Sequence, residues 1–227
     1  MPKLTIQSLC KEAATFSAAQ SKTPEKSLFG VADGKAVGTH LEHKFRDYLK
    51  SRYKFEEGSS EGNVAFPGLL VDVKMICISK PESFCPFKSA RQKVYGLGYS
   101  LLVFFYDMVE TDTKKAATIK ILNVIFVEAE RTADYQLTFG LRKILEGGGN
   151  RDKIFDYLLN LNLPVEEIGL NNLTDEIISN PPLQGFLTIS TAYQWRLYFS
   201  RAIERAGLEQ GVLDIQRMPE LQPRMGI

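Results

Sequence analysis

Hydrophobic and polar positions alternate at helical spacing in two segments near the start of the chain. The spacing predicts one helix over residues 4–20 and a second, with a clearer apolar face, over residues 34–53. The apolar positions of the second helix are Val37, Leu41, Phe45, Tyr48 and Leu49. A polar connector that contains Pro24 follows the first helix, so we expect residues 1–27 to form an N-terminal helical arm.

Three short apolar runs, rich in β-branched and aromatic residues, predict the central strands of one sheet. They cover residues 69–78, 99–106 and 118–127, and turn residues bound each of them. The charged loop 110–115 between the last two runs indicates an antiparallel hairpin. Helices are predicted over part of 86–98 and over 133–146, 151–161, 171–179 and 191–206, with a short strand over 186–189. The pattern therefore indicates an α/β or α+β fold with one sheet.

Composition and charge narrow the class of protein without pointing to a partner. The chain has 227 residues, of which 44% are hydrophobic and 24% charged, which is typical of one globular domain. The net charge is only +1, so a nucleic-acid-binding surface would have to be a local patch. There is no apolar run of membrane-spanning length, and Glu12 interrupts the region where a signal peptide would be apolar. We expect a cytoplasmic protein without a membrane partner.

The few cysteines and histidines exclude several kinds of site. Cys10, Cys77 and Cys85 form no CxxC pair and have no histidine at metal-ligand spacing. This is typical of reduced intracellular thiols and argues against a disulfide framework or a zinc site. A histidine-dependent nucleophilic mechanism would have to use His40 or His43, because the chain has only these two histidines.

The strongest candidate for chemistry is an acidic residue two positions before a lysine within a predicted strand. Because side chains alternate along a strand, Asp72 and Lys74 share one face, opposite Val71 and Val73. Two neighbouring charges on a buried strand are costly unless they are paired or bind a metal. An edge strand with a solvated polar face, or a plain ion pair, would explain them. In a metal site, Asp72 and the Val73 carbonyl would be ligands, and Lys74 would stabilise the attacking hydroxide or the phosphoryl charge.

The surrounding sequence resembles the signature of the PD-(D/E)xK nucleases, in particular their MutH-like branch. Residues 65–74 read AFPGLLVDVK, and that branch has an Asp, then Phe-Pro, then the acidic-x-Lys triplet. Residues 35–42 read KAVGTHLE and are similar to the branch's helix, which has a Val-Gly pair and a Glu facing the site. The resemblance extends over residues 34–107, and the remainder is similar only in general to type II restriction endonucleases.

The resemblance implies a restriction-endonuclease-like α/β fold, with a mixed central β-sheet flanked by helices. It implies a Mg²⁺-dependent, sequence-specific endonuclease that hydrolyses the phosphodiester bonds of double-stranded DNA. Residues 1–227 would then form a single endonuclease domain, with its catalytic core in 34–130 and a helical region in 131–227 that could recognise DNA. Restriction enzymes usually act as homodimers on two-fold sites, so a homodimer is expected. A strand-nicking repair endonuclease and a catalytically silent DNA-binding protein on this fold are the alternatives.

One position departs from the family pattern. The first catalytic Asp of the family falls on Ala65, which cannot bind a metal. Either another carboxylate has moved into the site, with Glu42 and Glu61 as candidates, or this form of the chain is inactive. The resemblance implies a site-facing role for Glu42, which Gly38 would permit by letting the helix approach the sheet. The alternative for Glu42 is a solvated side chain that pairs with Arg46, four residues later.

Two polar segments are candidates for DNA contacts. Beside the site strand, the cations Lys88, Arg91 and Lys93 could clamp phosphates, and Arg91 or Gln92 could read base edges. A later segment offers Gln194 and Arg196 as base readers. A solvated polar face is the alternative for every one of them.

Overall fold

The helical and strand patterns of the sequence correspond to regular elements along most of the chain. The computed structural model describes residues 1–58, 64–79, 82–84, 86–161, 163–189 and 196–217. The helices are α1 (Ile6–Gln20), α2 (Gly34–Lys50), α3 (Ala90–Tyr95), α4 (Tyr135–Glu146), α5 (Arg151–Asn160), α6 (Glu167–Ser179) and α7 (Ser200–Arg205). The strands are β1 (Pro24–Glu25), β2 (Val71–Cys77), β3 (Glu82–Phe84), β4 (Ser100–Thr111), β5 (Ala116–Val127), β6 (Thr188–Ile189), β7 (Arg196–Tyr198) and β8 (Val212–Arg217).

These elements form two compact units, each built from separate stretches of the chain. The first unit takes the described residues up to Glu82, the stretch Leu101–Val127, and those from Ala206 onward. The second unit takes Ser83–Ser100 and Glu128–Arg205. The catalytic core predicted over residues 34–130 is therefore divided between the two units.

The first unit contains a five-stranded sheet whose path is β1-β5-β4-β2, with β8 also paired to β5. Strands β4 and β5 are antiparallel from Leu101↔Val127 to Thr111↔Ala116, which confirms the predicted hairpin. Both strands are longer than their apolar runs because pairing continues into the polar residues beside the turn. The mixed α/β architecture, with a central sheet flanked by helices, is confirmed.

Helices α1 and α2 build the core of the first unit together with the sheet. The rings of Phe16 and Phe45 are 5.1 Å apart, and those of Phe45 and Phe104 are 5.0 Å apart. Leu9 and Leu41 are fully buried in the same apolar cluster. Residues 1–27 are consequently not a separate arm, because the apolar stripe of α1 is covered by the sheet.

The second unit combines helices α3 to α6 with a three-stranded sheet of order β3-β7-β6. Its helical core contains Leu137, Leu141, Ile154, Leu158, Leu170 and Ile177. The predicted helix over 191–206 is wrong at Arg196–Tyr198, which forms β7. Among the described residues of that range, Ser200–Arg205 is helical. Leu197 and Phe199 are fully buried on either side of the half-buried Tyr198, which is the alternation of a strand.

Two further expectations concern the chain as a whole. In the part of the chain that the structure describes, no helix is long and apolar enough to cross a membrane. Cys10 and Cys77 are free thiols, as predicted, whereas Cys85 lies outside the described residues.

Candidate functional site

A short turn places the candidate site residues at the start of β2. The Phe66 amide donates to the Val71 carbonyl at 2.9 Å, and the Val71 amide donates back to Phe66 at 3.3 Å. This antiparallel bridge is closed by a 3₁₀ turn, Pro67–Leu69, and by Leu70 in the left-handed conformation with φ 52°. The bridge is isolated, and beyond it the Ala65 carbonyl accepts a hydrogen bond from the Gly58 amide at 3.1 Å. Ala65 is buried in the apolar cluster that also holds Val71 and Val73.

Asp72 and Lys74 form an ion pair on one face of β2. Lys74 Nζ lies 2.8 Å from Oδ2 of Asp72, and the Asp72 residue is only 6% exposed. That carboxylate oxygen is buried, and no described group other than the Lys74 ammonium is placed to donate a hydrogen bond to it. Strand β2 stands at one end of the sheet path, yet burial of Asp72 excludes a solvated polar face. Among the described residues, the negative charge of the buried Asp72 carboxylate is therefore balanced by the ammonium of Lys74 alone.

The opposite face of β2 packs against helix α2. Val71 and Val73 are buried in the apolar cluster that includes residues of α2. A Cβ added to Gly38 would lie 3.3 Å from the backbone oxygen of Met75, tighter than most such contacts. The expectation that Gly38 lets α2 approach the strand closely is confirmed.

Glu42 is engaged within its own helix. Its Oε1 accepts a hydrogen bond from Arg46 Nη2 at 2.6 Å, the pairing expected for residues four apart. Helix α2 covers the Val73 face of β2, whereas Asp72 leaves the other face. The structure does not bring Glu42 into the pair, and it favours the helical ion pair over the site-facing role.

The polar segment around α3 is less open than its sequence suggests. Lys88 is exposed, and its amide donates to Oε1 of Gln92 at 2.6 Å. Arg91 is held by Glu176, with its Nη2 2.6 Å from Oε1 of that carboxylate. Lys93 is only 3% exposed, so its placement on an exposed basic patch is wrong. Burial raises the pKa of the Asp134 carboxyl, and hydrogen bonds from the Leu137 and Ile189 amides, together with the charge of Lys93, partly oppose that rise.

The later candidate segment is described only at its end. Arg196 begins β7 and is half-buried, with its guanidinium carbon 5.0 Å from the ring centroid of Phe84. Gln194 lies outside the described residues, as does Glu61.

Sequence reasoning missed one surface of the second unit. Tyr135, Phe139 and Lys143 follow one another at four-residue spacing on α4, and none of them was singled out. The spacing was a readable signal, since residues four apart lie on the same face of a helix.

Comparison with known proteins gives one family. The family model described as "Type II restriction enzyme NspV" matches residues 3–214. A curated relative, the type II restriction enzyme NspV of Nostoc sp. (strain ATCC 29411 / PCC 7524), is 57% identical over 217 residues. The match covers 96% of this chain and 99% of the relative. No solved structure matches the chain significantly.

Proposed function

Because the chain belongs to the NspV family of type II restriction enzymes, we propose that it is a Mg²⁺-dependent, sequence-specific endonuclease. A type II restriction enzyme is a site-specific deoxyribonuclease, and its reaction is hydrolysis of phosphodiester bonds in double-stranded DNA. We locate this reaction at Asp72 and Lys74. The observation that supports the location is the buried Asp72 carboxylate, whose Oδ2 has the ammonium of Lys74 as its one described polar neighbour. The same pair supports an assignment to the PD-(D/E)xK superfamily.

The donor atoms around Asp72 fit a hard divalent cation. Mg²⁺ is usually bound through one or two carboxylates, with water and substrate phosphate completing its coordination. Asp72 offers its buried carboxylate oxygen as a ligand for the cation, and the Val73 carbonyl is a second candidate ligand. Within the described ranges, no three side chains of His, Cys, Asp or Glu cluster together, so water and DNA would provide the remaining ligands. When bound, Mg²⁺ would lower the pKa of a water molecule and polarise the phosphate.

Lys74 supplies positive charge at the reacting phosphate. Its side chain is 28% exposed, so the ammonium group can meet a phosphate oxygen while its stem remains on the strand. There it would stabilise the negative charge that grows in the transition state. Before DNA binds, Asp72 holds the ammonium group at the site.

Ala65 limits the activity that this site can provide. Its methyl group is buried in an apolar cluster, and the resemblance to the nuclease signature puts the family's first catalytic Asp at this position. One carboxylate holds the cation loosely and orients the attacking water poorly. We therefore infer slow cleavage or none, and a catalytically silent DNA-binding protein is the second candidate function.

The remaining proposed contacts concern DNA recognition and assembly. Lys88 and Arg91 offer cations for phosphates, whereas Gln92, Gln194 and Arg196 are candidates for reading bases. A homodimer would match a DNA site with two-fold symmetry.

Plasmid cleavage in Mg²⁺, together with gel-shift binding of duplex DNA in Ca²⁺, tests the proposed function. We expect the chain to bind duplex DNA with sequence preference, and any cleavage to disappear in Lys74→Ala. The matched control is Lys114→Ala, because Asp112 and Lys114 repeat the acidic-x-Lys pattern in an exposed turn. Cleavage by Lys74→Ala at the wild-type rate would refute the site. Binding without any cleavage would favour the silent protein, and no binding would refute both.

A further inference from the structure

The outer face of α4 carries aromatic rings that are each covered by a cation. We name this set the α4 row: Arg131, Tyr135, Phe139, Lys143, Phe186 and Arg201. Its helical members recur every four residues and so line one face of α4. Leu137 and Leu141, on the other face, are buried in the core of the second unit.

The rings of the α4 row differ in exposure, since Phe139 is exposed, Tyr135 is half-buried and Phe186 is only 3% exposed. Tyr135 and Phe139 stack with their centroids 6.1 Å apart and their planes 8° from parallel. Phe186 lies 6.2 Å from Tyr135 on the other side, tilted by 48°. Phe139, stacked on the half-buried Tyr135, is therefore the exposed end of a row of rings that ends at the buried Phe186.

One cation lies over each ring of the α4 row. The Arg201 guanidinium carbon is 4.9 Å from the centroid of Tyr135, and Lys143 Nζ is 5.3 Å from that of Phe139. The Arg131 guanidinium carbon lies 5.9 Å from the centroid of Phe186. These distances are typical of cation–π contacts, and Lys143, over the exposed ring of Phe139, is itself exposed.

The exposure of Phe139 and the charge of Lys143 together indicate that the α4 row binds a partner. Phe139 is 46% exposed, a large apolar surface beside cations. Arg201 shares its charge with Glu204 at 3.0 Å, and Arg131 donates to the Gln184 carbonyl at 3.3 Å. Lys143 is exposed and has no ion-pair partner in the described part of the chain, so its charge is not compensated.

We propose that the α4 row binds the sugar–phosphate backbone of double-stranded DNA, an inference that rests on the proposed nuclease function. Lys143 and Arg201 would contact phosphates, and the ring of Phe139 would lie against deoxyribose. The helical rise of about 1.5 Å per residue separates Tyr135 from Lys143 by about 12 Å. That length covers three to four base-pair steps at about 3.4 Å each. An apolar protein partner would use the rings alone, whereas a polyanion with apolar sugars uses both rings and cations.

Salt-dependent binding of one duplex fragment tests the α4 row. We expect Lys143→Gln to weaken binding about fivefold and to lower the slope of log K against log salt by about one. Phe139→Ala should weaken binding by a similar factor without changing that slope, because it removes apolar contact and no charge. The matched controls are Lys153→Gln and Leu159→Ala on α5, where both residues are exposed and lie outside the row. Neither control should change the affinity or the slope.

The outcomes separate the α4 row from the nuclease assignment. If wild type binds the fragment and both row variants bind like their controls, the row is not a DNA surface, although the nuclease proposal stands. If wild type binds no duplex DNA, the nuclease proposal fails and the row fails with it. A change of oligomeric state in Phe139→Ala, measured by sedimentation at unchanged DNA affinity, would make the row a contact between copies and overturn the proposal. Charge reversal by Lys143→Glu should weaken binding more than Lys143→Gln, with unchanged thermal unfolding.

Discussion

The ammonium group of Lys74 lies 2.8 Å from Oδ2 of Asp72, two positions earlier on the same strand. Both side chains leave β2 on one face, while Val73 between them enters the core on the other. An ion pair alone would explain the lysine, but a buried carboxylate oxygen whose one described donor is that ammonium still has a lone pair for a cation. Metal binding by Asp72 is therefore the property to measure first.

Asp72→Asn should weaken binding of Mn²⁺ or Ca²⁺ by at least about tenfold, because the amide keeps the shape and loses the anionic oxygen. Isothermal titration calorimetry on both forms measures the effect, with thermal unfolding as the check on folding. Asp112→Asn, in an exposed turn, is the control. Equal affinity in wild type and Asp72→Asn would show that Asp72 is only the ion-pair partner of Lys74.

Ala65→Asp should raise Mg²⁺-dependent plasmid cleavage by several orders of magnitude. The added carboxylate would stand at the position of the family's first catalytic Asp and complete the ligands that hold the ion and orient the attacking water. Because residue 65 is only 3% exposed, Ala65→Asn controls for the cost of a polar side chain there. Adding Lys74→Ala to Ala65→Asp should abolish the gain.

Efficient cleavage by the unmodified chain would contradict the inference that Ala65 leaves the site without a needed carboxylate. It would not contradict the nuclease assignment. The missing ligand would then come from elsewhere in the chain. Glu61 would be examined first, since Glu42 already accepts a hydrogen bond from Arg46.

The sequence predicts those elements whose own side chains bury a continuous face. Helix α2 and strands β4 and β5 belong to this class, because their apolar patterns are long and nearly unbroken. Strand β8 was not predicted, since only Val212 among its residues is buried and its conformation depends on pairing with β5. The short strand β1 inside the expected connector likewise depends on its antiparallel pairing with β5.

In the candidate site, too, features that depend on one segment could be predicted, and features that depend on another element could not. Spacing within one strand was enough to place Asp72 and Lys74 together, because strand geometry fixes which side chains share a face. The burial of Lys93 was not predictable from its basic neighbours, since the carboxylate that compensates it, Asp134, is on another element. The location of an acidic partner decides whether a lysine is a surface cation or an interior one.

Lys88→Ala should lower the slope of log K against log salt for duplex DNA by about one, since Lys88 is exposed. Lys93→Ala should instead lower the free energy of unfolding by about 1–2 kcal/mol, because it removes a buried side chain and a positive charge near the Asp134 carboxylate. The carboxylate keeps its hydrogen bonds from the Leu137 and Ile189 amides. Salt titration of DNA binding and urea unfolding of each single variant separate the two effects. A loss of DNA affinity in Lys93→Ala at unchanged stability would contradict this division.

Leu70→Gly should stabilise the protein by about 0.5–1 kcal/mol. Leu70 has φ 52°, a left-handed conformation that costs a residue with a Cβ about 1–2 kcal/mol. Glycine removes this cost, but it loses more chain entropy on folding, which cancels part of the gain. The side chain is 60% exposed, so little apolar burial is lost. Leu70→Ala keeps the Cβ and should show no gain. Equal unfolding midpoints for the two variants would disprove backbone strain at this residue.

Glu12→Gln should reduce the loss of stability that wild type shows on acidification. The Tyr48 hydroxyl, followed by that of Tyr53 at 2.9 Å, donates to the carboxylate and keeps the pKa of Glu12 below its usual 4.5, with Arg52 nearby. A lowered carboxyl pKa contributes stability that is present above the unfolded-state pKa and is lost as the pH falls through the folded-state pKa. The loss should therefore begin near pH 4.5 and continue below it.

Urea unfolding of wild type and Glu12→Gln at neutral pH and at several acid pH values measures this contribution. At neutral pH the variant should be less stable by about 1.5–3 kcal/mol, the usual worth of hydrogen bonds to a charged group. The difference should shrink as the pH falls, because protonation gives wild type the same uncharged acceptor. Glu57→Gln is the matched control, since Glu57 pairs with Lys50 at an exposed site and should show little pH-dependent difference. A difference between wild type and Glu12→Gln that stays constant across the acid range would show that Glu12 acts through packing and not through its charge.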